Sequence, residues 1–163
     1  MKIEIFDAIY AAKWHRPKEP SIMIRLFSSK SYLEDCMHYS FEKVYPDLDY
    51  ERDYLKVLKY EFDDYDLEEW EDIDEIKKDP LLKKIILFDE EKAKKIIKDF
   101  SECRKDASSL IVHCLMGERR SPAVGMALNE IFELGAEIDE MKYPRFNRYV
   151  YRTMLRLAKK ESF

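Results

Sequence analysis

Nine consecutive residues, His113-Cys114-Leu115-Met116-Gly117-Glu118-Arg119-Arg120-Ser121, carry the pattern H-C-x-x-G-x-x-R-S. They follow the apolar run Ser109-Leu110-Ile111-Val112 and precede a helix-like run from Pro122 to Leu134. A loop closing onto a helix N-terminus aims several backbone N–H groups at one point, and the helix dipole favours negative charge there. Leu115, Met116, Gly117, Glu118 and Arg119 would supply those groups, making a cradle for a phosphate dianion. The same field favours the thiolate of a cysteine, which otherwise titrates near ~8.5. Cys114 would therefore lie charged beneath the bound phosphorus. The planar fork of Arg120 can hold two phosphoryl oxygens at once, as lysine cannot. Gly117 permits a backbone conformation that a Cβ would resist. The Ser121 hydroxyl can donate to the sulfur and help it depart as a thiolate. A lone cysteine ending a strand reads most simply as a small buried residue. Five constrained residue types in a strand–loop–helix context favour the motif instead.

The run resembles the signature loop of the cysteine-dependent protein tyrosine phosphatase superfamily, at His113, Cys114, Gly117, Arg120 and Ser121. The continuation Ser121-Pro122-Ala123-Val124-Gly125-Met126-Ala127-Leu128 looks like the helix after that loop in small dual-specificity-like members of bacteria and archaea. Tyr60-Glu61-Phe62-Asp63-Asp64 resembles their strand end and acidic dipeptide. Pro144-Arg145-Phe146-Asn147 resembles the Pro-x-x-Asn turn that opens their last helix. The resemblance is dense over 109–135 and thin elsewhere. It implies a phosphocysteine intermediate, a histidine that orders the loop, and an aspartic acid that protonates the leaving group. The pair Glu118-Arg119 departs from the small or apolar residues usual before the arginine. Glu118 would oppose a dianion unless Arg119 pairs with it.

Expelling an alkoxide or phenoxide requires a proton donor. Asp63, Asp64, Asp66, Asp72, Asp74, Asp79 and Asp89 are available. Asp64 and Asp63 leave a strand end, as the acid of the resembled family does, with Asp64 slightly preferred. Asp89 precedes Glu90-Glu91 and an amphipathic run, and reads better as a helix N-cap. The acidic run 61–75 reads as a solvated face. Its sharper reading is a lid that repels polyanions, with Trp70 anchoring it to the core.

At 163 residues, a single phosphatase-like domain over 1–163 can bury a real core. A net charge of −5 argues against a nucleic-acid or anionic-membrane binder. The chain shows neither a signal peptide nor the ~18-residue apolar run of a membrane helix. Three cysteines at irregular spacing fit a reducing, cytoplasmic setting rather than a disulfide scaffold. Cys36 and Cys103 read as buried small residues, with a resolving thiol as the sharper alternative. Cys36, His38, Cys103 and His15 do not make the paired ligands of a zinc site. No metal and no organic cofactor are expected.

Alternation marks a strand at 2–6, a more apolar run a second at 21–27, and further strands follow at 55–62 and 110–113, with a loop at 13–20 and one short helix within 28–53. Ala93, Ile96, Ile97 and Phe100 share one face of a helix over 90–103. Pro122 suits a first turn, Gly135 a C-cap, and a last helix covers 145–160. Strands alternating with helices predict an α/β three-layer sandwich, phosphatase-like, with a mostly parallel sheet of about four to five strands. The expected activity is hydrolysis of a phosphomonoester, on a phosphorylated protein or peptide, by a monomer. A catalytically silent phosphate reader, an arsenate reductase or a small-molecule phosphatase would use the same loop.

Overall fold

A computed structural model describes residues 1–67, 78, 80 and 82–161. Trp70 and most of the acidic run, with Asp72, Asp74 and Asp79, lie outside the described residues. The elements are β1 (Lys2–Asp7), α1 (Ala8–Lys13), β2 (Ser21–Phe27), α2 (Phe41–Val44), β3 (Lys56–Glu61), α3 (Glu90–Cys103), β4 (Ser109–Cys114), α4 (Arg120–Ile131) and α5 (Arg148–Lys160). A single π-helical turn covers Tyr32–Cys36.

The four strands form one all-parallel sheet in the order β1-β4-β2-β3. A parallel strand covered on both faces needs apolar residues on both sides. The two central strands obey this: every residue of β4 is buried, and so is every residue of β2 up to Leu26. Ile22, Ile24, Leu26, Leu110 and Val112 pack against buried residues of α3, α4 and α5. Met23 and Ile111 face the opposite layer, against Ala11, Ala12, Leu48 and Tyr54. The result is an α/β three-layer sandwich. No helix among the described residues is long and apolar enough to cross a membrane.

Each of the four strands expected from the sequence is present. Helix α1 is an addition at residues that carry no clear period. Asp7 caps it by accepting from the Tyr10 N–H at 2.8 Å. Helix α5 starts at Arg148 rather than 145, because Asn147 is its N-cap and accepts from the Val150 N–H at 3.0 Å. Helix α4 starts at Arg120, which puts Pro122 in the first turn, where a missing N–H costs nothing. It ends with Phe132 as its C-cap. Gly135, at φ +67°, therefore turns the chain beyond the cap rather than forming it. Cys36 and Cys103 are half-buried rather than buried.

Candidate active site

Parallel strands converge their carboxyl ends on one rim, where α/β sheets place ligands. Cys114 ends β4 there, opposite Asp7 of β1. Side chains alternate across a sheet, so Cys114 joins the α3–α5 face while His113 turns to the other. The loop after Cys114 turns at Gly117, with φ +74°. A Cβ at that glycine would meet the Phe6 carbonyl carbon at 2.7 Å, its oxygen at 2.8 Å and the Asp7 nitrogen at 2.9 Å. Only glycine lets the loop lie this close to β1. The Ala8 N–H donates to the Leu115 carbonyl at 3.2 Å, tying the loop to α1. The N–H groups of Met116, Gly117 and Glu118 donate to no group among the described residues.

A pocket of about 150 Å³ opens over this loop. Cys114, Leu115, Met116, Glu118, Arg119 and Arg120 line it from the loop side. Ser28, Tyr32, Met37 and Asp64 complete it. The Cys114 Sγ lies 3.2 Å from the Ser121 Oγ, so the hydroxyl is placed to donate to the sulfur.

Arg120 is 2% exposed. Its Nη1 donates to the Phe62 carbonyl at 2.6 Å, and its Nη2 to Ser28 Oγ at 2.8 Å and Tyr45 Oη at 3.3 Å. These contacts refine the two-oxygen grip read from the motif. Both Nη atoms anchor the guanidinium, and the buried Nε has no partner among the described residues. Three of the five guanidinium N–H groups are thus engaged, and the Nε–H and the second Nη1–H are left to donate; an unmet buried N–H is costly until an acceptor arrives. Burial works against the Arg120 charge, but Tyr45, Cys114 and Asp64 more than offset it and raise its pKa above the ordinary value.

Consecutive residues resolve the acidic pair. Asp64 lines the pocket; Asp63 points away and is 1% exposed. The Asp63 carboxylate accepts from the Ser29 N–H, the Ser29 hydroxyl and the Ile86 N–H, each at 2.8 Å. These three contacts hold the Asp63 carboxylate away from the pocket that Asp64 lines, so the structure separates two residues that the sequence set side by side. Asp64 pairs with the Arg119 Nε at 3.2 Å and accepts from Asn147 Nδ2 at 3.2 Å. Arg119 therefore reaches across to Asp64. Asp89 is the N-cap of α3, accepting from the Lys92 N–H at 2.8 Å. Burial pushes its carboxyl up, but the Lys92 ammonium and N–H outweigh that and hold it below its ordinary value.

The motif pattern gave no hint of several supports. Asn147 donates to Asp64 and to the Tyr65 carbonyl, and its own N–H reaches the Arg119 carbonyl at 3.1 Å. One residue at the start of α5 thus joins the Asp64 segment, through its side chain, to the loop, through its backbone N–H. Asp66 strengthens that junction by accepting from the Arg148 and Tyr149 N–H groups at the N-terminus of α5. An Asp two residues past Asp64, ahead of a Pro-x-x-Asn turn, was the available signal. Ser28, Ser29 and Tyr45 carried none.

Exchanging Asp63 and Asp64 singly for asparagine separates their roles. Asp64→Asn is expected to lower kcat about 100-fold or more, while stability stays within about 1 kcal/mol because its ion pair is partly exposed. Asp63→Asn turns an amide N–H toward donors and should cost about 2–3 kcal/mol. Thermal unfolding together with turnover of an aryl phosphate distinguishes them. The opposite assignment would fail the expectation.

His113 is fully buried, and its Nε2 accepts from Arg25 Nε at 3.0 Å. Burial first, and then Arg25, lower its pKa from 6.5 to about 3. It stays neutral in the folded protein while the unfolded chain takes up a proton below about 6.5. The folded state therefore keeps its full His113 contribution above pH 6.5 and loses it as pH falls toward 3. The limiting slope is about 1.4 kcal/mol per pH unit. His113→Gln should flatten the fall of Tm between pH 6.5 and 5, measured by calorimetry. An unchanged slope would contradict a neutral buried imidazole. Burial lowers His15 as well, and its share of the slope remains in both proteins.

No family model matches this chain, and neither a curated protein nor a solved structure is found to be similar to it.

Proposed function

We propose that the protein hydrolyses phosphomonoesters through a phosphocysteine intermediate, as a tyrosine or dual-specificity protein phosphatase. One arrangement carries the reading. Cys114, Arg120, Asp64 and the loop residues Leu115, Met116, Glu118 and Arg119 line one small pocket, with donors of Arg120 and of the loop that meet no acceptor among the described residues. In the first step the Cys114 sulfur attacks phosphorus in line; an S–P bond forms as the P–O ester bond breaks. Asp64 gives its proton to the departing oxygen. Arg120 and the loop N–H groups stabilise the equatorial oxygens as charge redistributes. In the second step water attacks phosphorus, Asp64 takes its proton, and the S–P bond breaks. The Ser121 hydroxyl donates to the leaving sulfur. No metal or organic cofactor takes part.

The Tyr32, Met37 and Met116 side chains at the pocket support an aromatic phosphoester as substrate, since they offer apolar surface to a ring. The test is turnover of p-nitrophenyl phosphate and of a phosphopeptide panel. Vanadate should inhibit it, a chelator should not, and no thiol reductant should be consumed. Phosphopeptide binding with no turnover would make the protein a silent reader. A requirement for a thiol reductant with arsenate would make it a reductase.

A further inference from the structure

Arg25 is a buried charge that the proposed reaction leaves unused. It lies on β2, directly beside His113 of β4 in the sheet register, and is 3% exposed. Its guanidinium stacks 4.9 Å from the Phe27 ring centroid. Among the described residues no carboxylate lies within ion-pair distance of it. Burying an unpaired cation is expensive, so the position calls for a compensating role.

Two donor contacts define that role. The Nε–H donates to His113 Nε2 at 3.0 Å, and Nη2 donates to the Pro46 carbonyl at 2.7 Å. An arginine nitrogen only donates. The His113 Nε2 must then be the bare acceptor, with the ring proton on Nδ1. That Nδ1 is buried beside the Cys114 backbone, with no side-chain partner among the described residues. The second contact holds the residue next to Tyr45, whose hydroxyl accepts from the Ser28 N–H at 3.1 Å and from Arg120 Nη2 at 3.3 Å.

We infer that Arg25 is a positioning residue with two arms: one fixes the His113 tautomer beside Cys114, and the other braces Tyr45 against Arg120. Only its kinetic consequence rests on the phosphatase reading. The test compares the wild type, Arg25→Met and Arg25→Lys, with histidines labelled by nitrogen-15. The tautomer is read from long-range nitrogen–proton correlations, and kcat and KM from p-nitrophenyl phosphate. The wild type should show a single Nδ1–H ring. Arg25→Met should mix both tautomers and lose about tenfold to a hundredfold in kcat, with KM within about threefold. Arg25→Lys keeps a donor and should restore the Nδ1–H ring and part of kcat.

A wild-type ring protonated at Nε2 overturns the inference. So does Arg25→Met with an unmixed ring or wild-type kcat. Should Arg25→Met fail to fold, Arg25→Lys decides: an Nε2–H ring at wild-type kcat overturns it. A wild type without turnover defeats the phosphatase reading instead, and the tautomer measurement still decides what Arg25 holds.

Discussion

Cys114→Ser should abolish hydrolysis of p-nitrophenyl phosphate, by at least about 10,000-fold, while the fold and the affinity for inorganic phosphate persist. The reason is that the step changes and the cradle does not. A serine hydroxyl in place of the thiol is a weak nucleophile without a base beside it, and an alkoxide is a poor leaving group in the second step. Removing a nucleophile from a concerted set typically costs the larger part of the enhancement. Ser121, 3.2 Å away, can support a hydroxyl as it supports a thiol. The loop N–H groups and Arg120 Nε remain to hold an anion. Turnover assays with calorimetric phosphate binding read both halves. Equal turnover in the variant would place the chemistry elsewhere.

Arg120→Lys should lower kcat/KM about 1,000-fold and abolish inhibition by vanadate. A removed donor to developing charge costs on the order of a hundredfold to a thousandfold, and here more than one donor goes. The guanidinium reaches Phe62, Ser28 and Tyr45 at once and still presents Nε. A single ammonium cannot span those positions. The substitution also leaves the Phe62 carbonyl and two hydroxyls seeking partners in a buried site, so Tm should fall as well. Vanadate titration separates the two effects. A cooperatively folded Arg120→Lys protein with wild-type vanadate affinity would contradict the assigned grip.

The parts of this molecule readable from sequence are those where neighbours in the chain are neighbours in space. The run from Ser109 through Leu128 encodes strand, loop and helix in one stretch, and the sheet shows as alternation in β1 and as apolar runs in the buried central strands β2 and β4. The acid was less legible for a geometric reason. Asp63 and Asp64 differ by one position, and successive side chains leave an extended segment in opposite directions. Which one enters the pocket depends on Ser29 and Ile86 capturing Asp63, contacts that composition does not reveal. Asn147 was visible as a turn residue, yet its grip on Asp64 spans 83 positions of chain. Arg25 looked like one polar residue in an apolar strand. Only the register that sets it beside His113 gives it meaning. Helix α1 escaped because a short helix held by an Asp cap and packing needs no long period.

The most direct test of the central claim is a rapid acid quench of the wild type during turnover of p-nitrophenyl phosphate, followed by mass spectrometry of the peptides. A phosphorylated thiol on Cys114, formed within the first turnover and absent from Cys114→Ser, is the predicted result. Turnover with no adduct on Cys114, or with the phosphoryl group on another residue, would contradict the account.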